Sequence, residues 1–189
     1  MAHEVEMKVW VTDWNAASRL LHDRCTFRGS VLKRDRYFRR PEEDPGSSYG
    51  FRVRLDGEVA TVTYKDRLTK DGVERNVEHE FHVDDAETFV RMAERLGCSQ
   101  YMTKAKEGEE FICGELTIGL YHVLPVGDFL EVEAVVADAD SVADAAESVR
   151  DFIKALTSEM GVESPPVESR SYGKLVRLAE AGELSSRDE

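Results

Sequence analysis

Several short stretches place two like charges two residues apart: Glu4 and Glu6 (followed by Lys8), Arg52 and Arg54, Glu78 and Glu80, Lys104 and Lys106, and Glu131 and Glu133. Lys65 stands singly in a similar run. In a β-strand, residues i and i+2 share a face, so each pair points one way. The opposite face of these runs is expected to carry Val5, Val53, Val62, Phe81, Met102 and Val132. For any one run, a solvated outer face explains the alternation. If the charged faces instead belong to one sheet that curls into a barrel, they point inward. Such an interior is not a dry core, because burying unpaired charge is costly. It is wet and holds a ligand. Glu carboxylates without Cys or His suit a hard cation, Mg²⁺ or Mn²⁺. Arg and Lys pairs suit phosphate oxygens. Together they describe a metal–polyphosphate site.

The elements that must position these residues follow from periodicity and turn chemistry. Strands are predicted over residues 3–11, 30–41, 49–55, 58–68, 74–83, 99–107, 109–123 and 128–136. Asp56-Gly57 between two alternating runs is a hairpin signal, residues 70–72 make a second turn, and residues 42–48 compose a loop. Helices are predicted over 13–27, 84–97, 140–161 and 171–182, with Asp13 and Asp84 or Asp85 as N-caps and Gly97 and Gly161 as stops. Strands joined by short turns, with helices outside them, make an α+β fold on an antiparallel sheet. "EVEMKV" near the start echoes "FLEVEAV" near the end. Two similar halves or coincidence would each explain that echo.

Bulk properties narrow the function classes. The chain has 189 residues and a net charge of −13, which disfavours nonspecific binding to nucleic acid or anionic membrane. No apolar run approaches the roughly 20 residues that a membrane helix needs. The N-terminus lacks a signal-peptide layout, so a cytoplasmic protein is expected. Three cysteines without a CxxC argue against a disulfide framework or a structural zinc site. The basic, aromatic stretch over residues 28–40 reads as an edge strand before it reads as a nucleic-acid surface. Trp10 and Trp14 read as packing residues, and the acidic helix over 138–151 as a solvated face. There is no Walker A, GxSxG or paired Cys/His motif.

The charged runs, in this order, resemble the CYTH superfamily, the triphosphate tunnel metalloenzymes, whose name joins class IV adenylyl cyclases with thiamine triphosphatases. "EVEMK" resembles the family's ExExK. "DRYF" with Pro41 (Asp35, Tyr37, Phe38) resembles the DxYFxxP of the cyclase-like branch. "FRVR" resembles its RxR, "TYK" its TYK, "VEHEF" its ExE, "GDFLEVE" its LGxFxEIE and "RSYGKL" its SYxxL. The resemblance implies an eight-stranded antiparallel β-tunnel, a closed barrel with helices outside, formed as one domain over residues 1–182 with a frayed tail at 183–189. It implies metal ligands at Glu131 and Glu133, with Glu4, Glu6, Glu78 and Glu80 completing the acidic set. It implies a triphosphate cradle of Arg52, Arg54, Lys65, Lys104, Lys106 and Lys8, with Lys65 and Lys8 catalytic.

The chain departs from the family in two places. Tyr121, in "LYHV", stands where the family's LDxV strand has an Asp, which bears on a second metal and on activity. Lys104-x-Lys106 stands where the family has KxR. His122 faces away from Tyr121's side of a strand and reads as structural. The resemblance implies a Mg²⁺- or Mn²⁺-dependent enzyme, most simply an adenylyl cyclase making cyclic AMP and pyrophosphate from ATP. A triphosphatase and a triphosphate-binding module without chemistry are the alternatives. An organic triphosphate is the expected partner, and a homodimer stays open.

Overall fold

A computed structural model describes residues 3–41, 50–70 and 73–184, with side chains described throughout except at 65–70 and 73–78. The elements run β1 (His3–Trp10), α1 (Trp14–Arg24), β2 (Thr26–Arg39), β3 (Phe51–Asp56), β4 (Val59–Lys70), β5 (Val73–Val83), α2 (Ala86–Arg95), β6 (Ser99–Cys113), β7 (Leu116–Leu124), β8 (Gly127–Val136), α3 (Val142–Glu159) and α4 (Tyr172–Glu180). All strand pairs are antiparallel and the architecture is α+β, as expected.

The strand order is β1-β5-β4-β3-β2-β6-β7-β8 and returns to β1. The β1–β8 pair runs through eight residue pairs, whereas the β1–β5 seam is only Glu4–Glu6 against Asn76–Glu74. The expected closed barrel therefore describes the strand order and overstates the seam; the sheet curls as a half-barrel closed by a short stitch. Past that stitch, the strap before α4 takes β5's place on β1. The Trp10 amide donates to the Pro166 carbonyl at 3.1 Å, the Glu168 amide donates to the Lys8 carbonyl at 2.9 Å, and Val9 bridges Val167.

Two predicted boundaries move. The helix expected over 13–27 stops at Arg24, because Thr26 and Phe27 pair with Ile112 and Phe111 on β6. The break expected near residue 108 is absent: β6 continues to Cys113 and the hairpin turns at Gly114-Glu115. Asp13 and Asp85 cap α1 and α2, accepting from the Ala16 and Thr88 amides at 2.9 Å each.

Apolar packing lies mostly outside the barrel. Val5, Met7 and Val9 on β1, with Leu130 and Val132 on β8 and Ile118 and Leu120 on β7, pack under α3 through Val149, Ile153 and Leu156. Val53 and Val62 pack with Val90 of α2. On the lumen side, Tyr172, Leu175 and Val176 of α4 pack with Tyr121, Val123 and Phe129. Leu184 joins this group, and residues 185–189 lie outside the described residues.

The strap is fastened by Glu168, which is buried. Its carboxylate accepts from Trp10 Nε1 at 3.2 Å and from the Arg170 amide, Nε and Nη2 at 2.7, 2.9 and 2.7 Å. Burial alone would raise its pKa, but Arg170 outweighs this and lowers it. Glu168→Ala leaves those donors without an acceptor and should cost about 2 kcal/mol. Hydrogen exchange should accelerate over Tyr172–Glu180 while β1, β7 and β8 stay protected. Uniform acceleration across the sheet would show that the strap is not a separate unit.

Candidate functional site

Register places the charged pairs on one surface. Glu6 stands opposite Glu133 and Lys8 opposite Glu131 on β1–β8. Asp35 stands opposite both Arg54 and Lys104, and Lys33 opposite Lys106. Arg52 pairs with Thr63, which pairs with Glu80. Residues paired across antiparallel strands share a face, so these residues line the lumen. In the eight-membered strand order, β1 and β8 lie across from β2 and β3. An acidic wall of Glu4, Glu6, Glu131 and Glu133 therefore faces a basic wall. Position 65 on β4 pairs with position 78 on β5 in the same register as Thr63 and Glu80. The side chains of Lys65 and Glu78 lie outside the described residues.

The basic wall is organised by Asp35, 1% exposed. Arg54 donates to it through Nε at 2.7 Å and Nη2 at 3.0 Å. Lys104 Nζ lies 2.9 Å away, Arg52 Nη1 4.0 Å, and Tyr37 Oη donates at 3.2 Å. Burial would raise the Asp35 pKa, but Lys104 and Arg54 override it and hold the carboxyl well below its usual value. Burial lowers Lys104 to about 8 against the pull of Asp35, and lowers Lys106 to about 8 against Glu131. Arg52 Nη2 donates to Thr63 at 2.9 Å and Thr63 to Glu80 at 3.0 Å, but Arg52 Nε is buried with no hydrogen-bond partner.

The acidic wall is partly answered from within. Lys106 reaches across β7 to Glu131 at 3.0 Å, and Lys8 lies 3.9 Å from Glu6. Lys106 outweighs the burial that would raise the Glu131 pKa and holds it low. Glu4, Glu6, Glu131 and Glu133 supply hard oxygen donors from adjacent strands, which fits Mg²⁺ or Mn²⁺ in chemistry. Among the described residues, no three Asp, Glu, His or Cys side chains are already gathered as a metal site.

Tyr121 does enter the lumen, as its position in β7 requires. It donates to Glu110, which also accepts from Lys33. Lys106 Nζ lies 3.7 Å from the centre of its ring. Burial raises the phenol well above its usual value, with Glu131 and Glu110 adding to the shift, so it stays a neutral donor. The ring lies across Gly119, where a Cβ would sit 2.0 Å from Tyr121 Cε2. His122 faces the other way, with Nδ1 2.6 Å from Asp128.

Sequence reasoning named Arg52, Arg54, Lys104, Lys106, Lys8, Glu4, Glu6, Glu80, Glu131 and Glu133, and the structure brings all of them to the lumen register. It missed Asp35 as their organiser, as well as Lys33, Thr63 and Glu110, and it put Met102 on the opposite face, whereas Met102 pairs with Tyr37 in the register of Lys104 and Asp35. Alternation of Lys33, Asp35 and Tyr37 along β2 carried the signal for Asp35. The signal for Glu110 was hidden by the misplaced break near Gly108.

Asp35→Asn should cost about 3–5 kcal/mol, because it leaves Arg54 and Lys104 buried without countercharge. The Asp35 pKa is depressed on folding, so its contribution is complete above the ordinary carboxylate range and is lost as pH falls through the lowered value. The stability gap between wild type and variant, followed by urea unfolding, should be widest at neutral pH and close in acid. Gly119→Ala should cost about 2 kcal/mol by overpacking against Tyr121. In a Tyr121→Asp background the same change should cost under about 0.5 kcal/mol; additive losses would show that the ring is not what requires the glycine.

Comparison with known proteins agrees with this geometry. The structure superposes on the Pyrococcus horikoshii OT3 protein PH1012 with a TM-score of 0.73, at 26% identity, covering 92% of this chain and 99% of that one. It superposes on a putative adenylate cyclase from Vibrio parahaemolyticus with a TM-score of 0.78, at 17% identity over 92% and 97% of the two chains. A Hippeastrum protein described as a putative adenylyl cyclase with a dominant triphosphatase activity gives 0.71, at 14% identity over 98% of each chain. No curated protein matches the sequence. The CYTH domain pattern matches residues 2–172, and the chain belongs to the CYTH domain family.

Proposed function

We propose that this chain is a metal-dependent enzyme that hydrolyses a triphosphate inside its lumen. One observation carries the reading: a cluster of buried and half-buried cations around Asp35 faces four carboxylates across the lumen, and the buried Arg52 Nε in it lacks an acceptor. The surplus of donors on one wall suits a polyanion, and the carboxylates opposite suit the cation that accompanies it.

Roles follow from placement. Arg52 and Arg54 offer planar guanidinium groups to phosphate oxygens, while Lys104, Lys106 and Lys8 act as point charges. Asp35 keeps Arg54 and Lys104 oriented before the ligand arrives, so little reorganisation is needed on binding. Phosphate beside Lys104 favours its charged form and reverses the lowering that burial imposes. Glu131 and Glu133, with Glu4 and Glu6 beside them, would hold Mg²⁺ or Mn²⁺. A bound divalent cation would neutralise phosphate charge and make phosphorus more electrophilic. Lys65 and Glu78 keep the roles that the family resemblance implies. Water as nucleophile demands nothing beyond this lumen. Cyclisation of ATP also needs contacts that present the ribose 3′-hydroxyl to the α-phosphorus, which makes hydrolysis the simpler reading.

Purified protein incubated separately with tripolyphosphate, thiamine triphosphate and ATP, with Mg²⁺ or Mn²⁺, should release orthophosphate. Chelation should abolish release, and Glu131→Ala should lower it about 100-fold or more. Cyclic AMP with pyrophosphate from ATP would establish the cyclase reading instead. Binding without any product would leave a triphosphate-binding module.

A further inference from the structure

Tyr172 is the first residue of α4 and belongs to no strand, yet its side chain enters the charged lumen. Its ring meets Phe129 edge-on, with centroids 5.1 Å apart at 78°. Lys104, Lys8 and Lys106 lie 5.0, 5.3 and 5.7 Å from the ring centre. The residue is 8% exposed, and its buried hydroxyl makes no hydrogen bond of full geometry, although the Glu131 carboxylate is near enough to act on it. Burial raises the phenol well above its usual value, with the charges of Glu131 and Glu6 and the hydrogen-bonding approach of Glu131 adding to the shift, so the O–H keeps its proton.

A buried hydroxyl without a well-formed hydrogen bond costs stability. If the ring served only as a wedge between Phe129 and the lysines, Phe would serve better. Arg52 Nε, on the basic wall of the same lumen, is buried with no hydrogen-bond partner. The third such atom among the described residues, Arg39 Nη1, belongs to a guanidinium lying 4.5 Å over the Tyr101 ring. Two buried donors in one cation-rich lumen both lack a well-formed hydrogen bond, and an anion supplies acceptors to both.

We propose that the Tyr172 hydroxyl is a phosphate-binding donor, delivered to the site by α4 and not by the barrel. This rests on the triphosphate reading above and adds a residue to it. The seat of α4 is built for close approach. A Cβ at Gly173 would lie 2.8 Å from Met102 Cε, and Ser171 Oγ caps the helix by accepting from the Lys174 amide at 3.2 Å. The site is thus assembled from two parts, eight strands and a docked helix, and a ligand touching both favours the docked arrangement.

The test uses the non-hydrolysable imido analogue of tripolyphosphate with Mg²⁺, read by calorimetry and thermal unfolding. Tyr172→Phe keeps the ring, its contact with Phe129 and the nearby ammonium groups. It should leave the unliganded melting temperature unchanged or raise it, and weaken analogue binding about tenfold, as expected for one hydrogen bond to a charged group. Hydrogen exchange over Tyr172–Glu180 should slow on binding in wild type and slow less in the variant. Equal affinity in wild type and Tyr172→Phe would overturn this assignment alone. A lower unliganded melting temperature in Tyr172→Phe would show that the hydroxyl supports the fold, and would overturn it too. Failure of wild type itself to bind the analogue would overturn the triphosphate reading and this one with it.

Discussion

The arrangement depends on one buried carboxylate. Asp35 takes Arg54 Nε and Nη2 and the Lys104 ammonium, with Arg52 at the edge of reach. Cations this deep would otherwise repel one another and draw water or lose protons. Asp35 prevents this at the cost of its own desolvation, and the cations outweigh that cost, as its lowered pKa shows. It answers only part of the positive charge around it. The remainder is what an incoming anion meets, already aimed, so affinity does not have to fund the assembly of the wall.

Holding charge inside inverts the usual layout of a small barrel. The charged part of the lumen cannot join the strands by apolar contact, so, apart from the group under α4, much of their cohesion comes from the outer surface, where α3 covers β1 and β8 and α2 covers β3 and β4. β1 shows the consequence most plainly. Both of its faces are buried, Val5, Met7 and Val9 under α3 and Glu4, Glu6 and Lys8 toward the lumen. Its edge is shared between β5 and the strap, which lets one strand serve the barrel and also bring α4 to the lumen.

Much of this was legible in the sequence, because alternation has a fixed geometric meaning. Glu4, Glu6 and Lys8 had to share a face, and so did Arg52 with Arg54 and Lys104 with Lys106. What alternation does not show is who pairs with whom across strands distant in sequence. Asp35 meets Arg54 and Lys104 only through register, which depends on the whole sheet. Separate strands were expected on either side of Gly108, yet β6 passes straight through it and turns at Gly114. The entry of Tyr172 into the lumen was hidden for a different reason: it depends on how α4 docks, a tertiary matter that helix periodicity does not contain. Its neighbourhood to Lys8 is set by the strap pairing with β1.

The separation of apolar cohesion from the charged lumen has a consequence for how such a protein can change over time. Side chains on the outer face answer to packing, and those on the inner face answer to one another and to the ligand. An inward position can therefore exchange its chemistry while the contacts beneath α3 and α2 stay as they are. Tyr121 illustrates this: a large neutral donor occupies the lumen beside Glu110, and the room it needs comes from the missing side chain of Gly119 next to it. Divergence in a scaffold of this kind is local and pairwise, so new ligand preferences are within reach of a few linked substitutions on an unaltered frame.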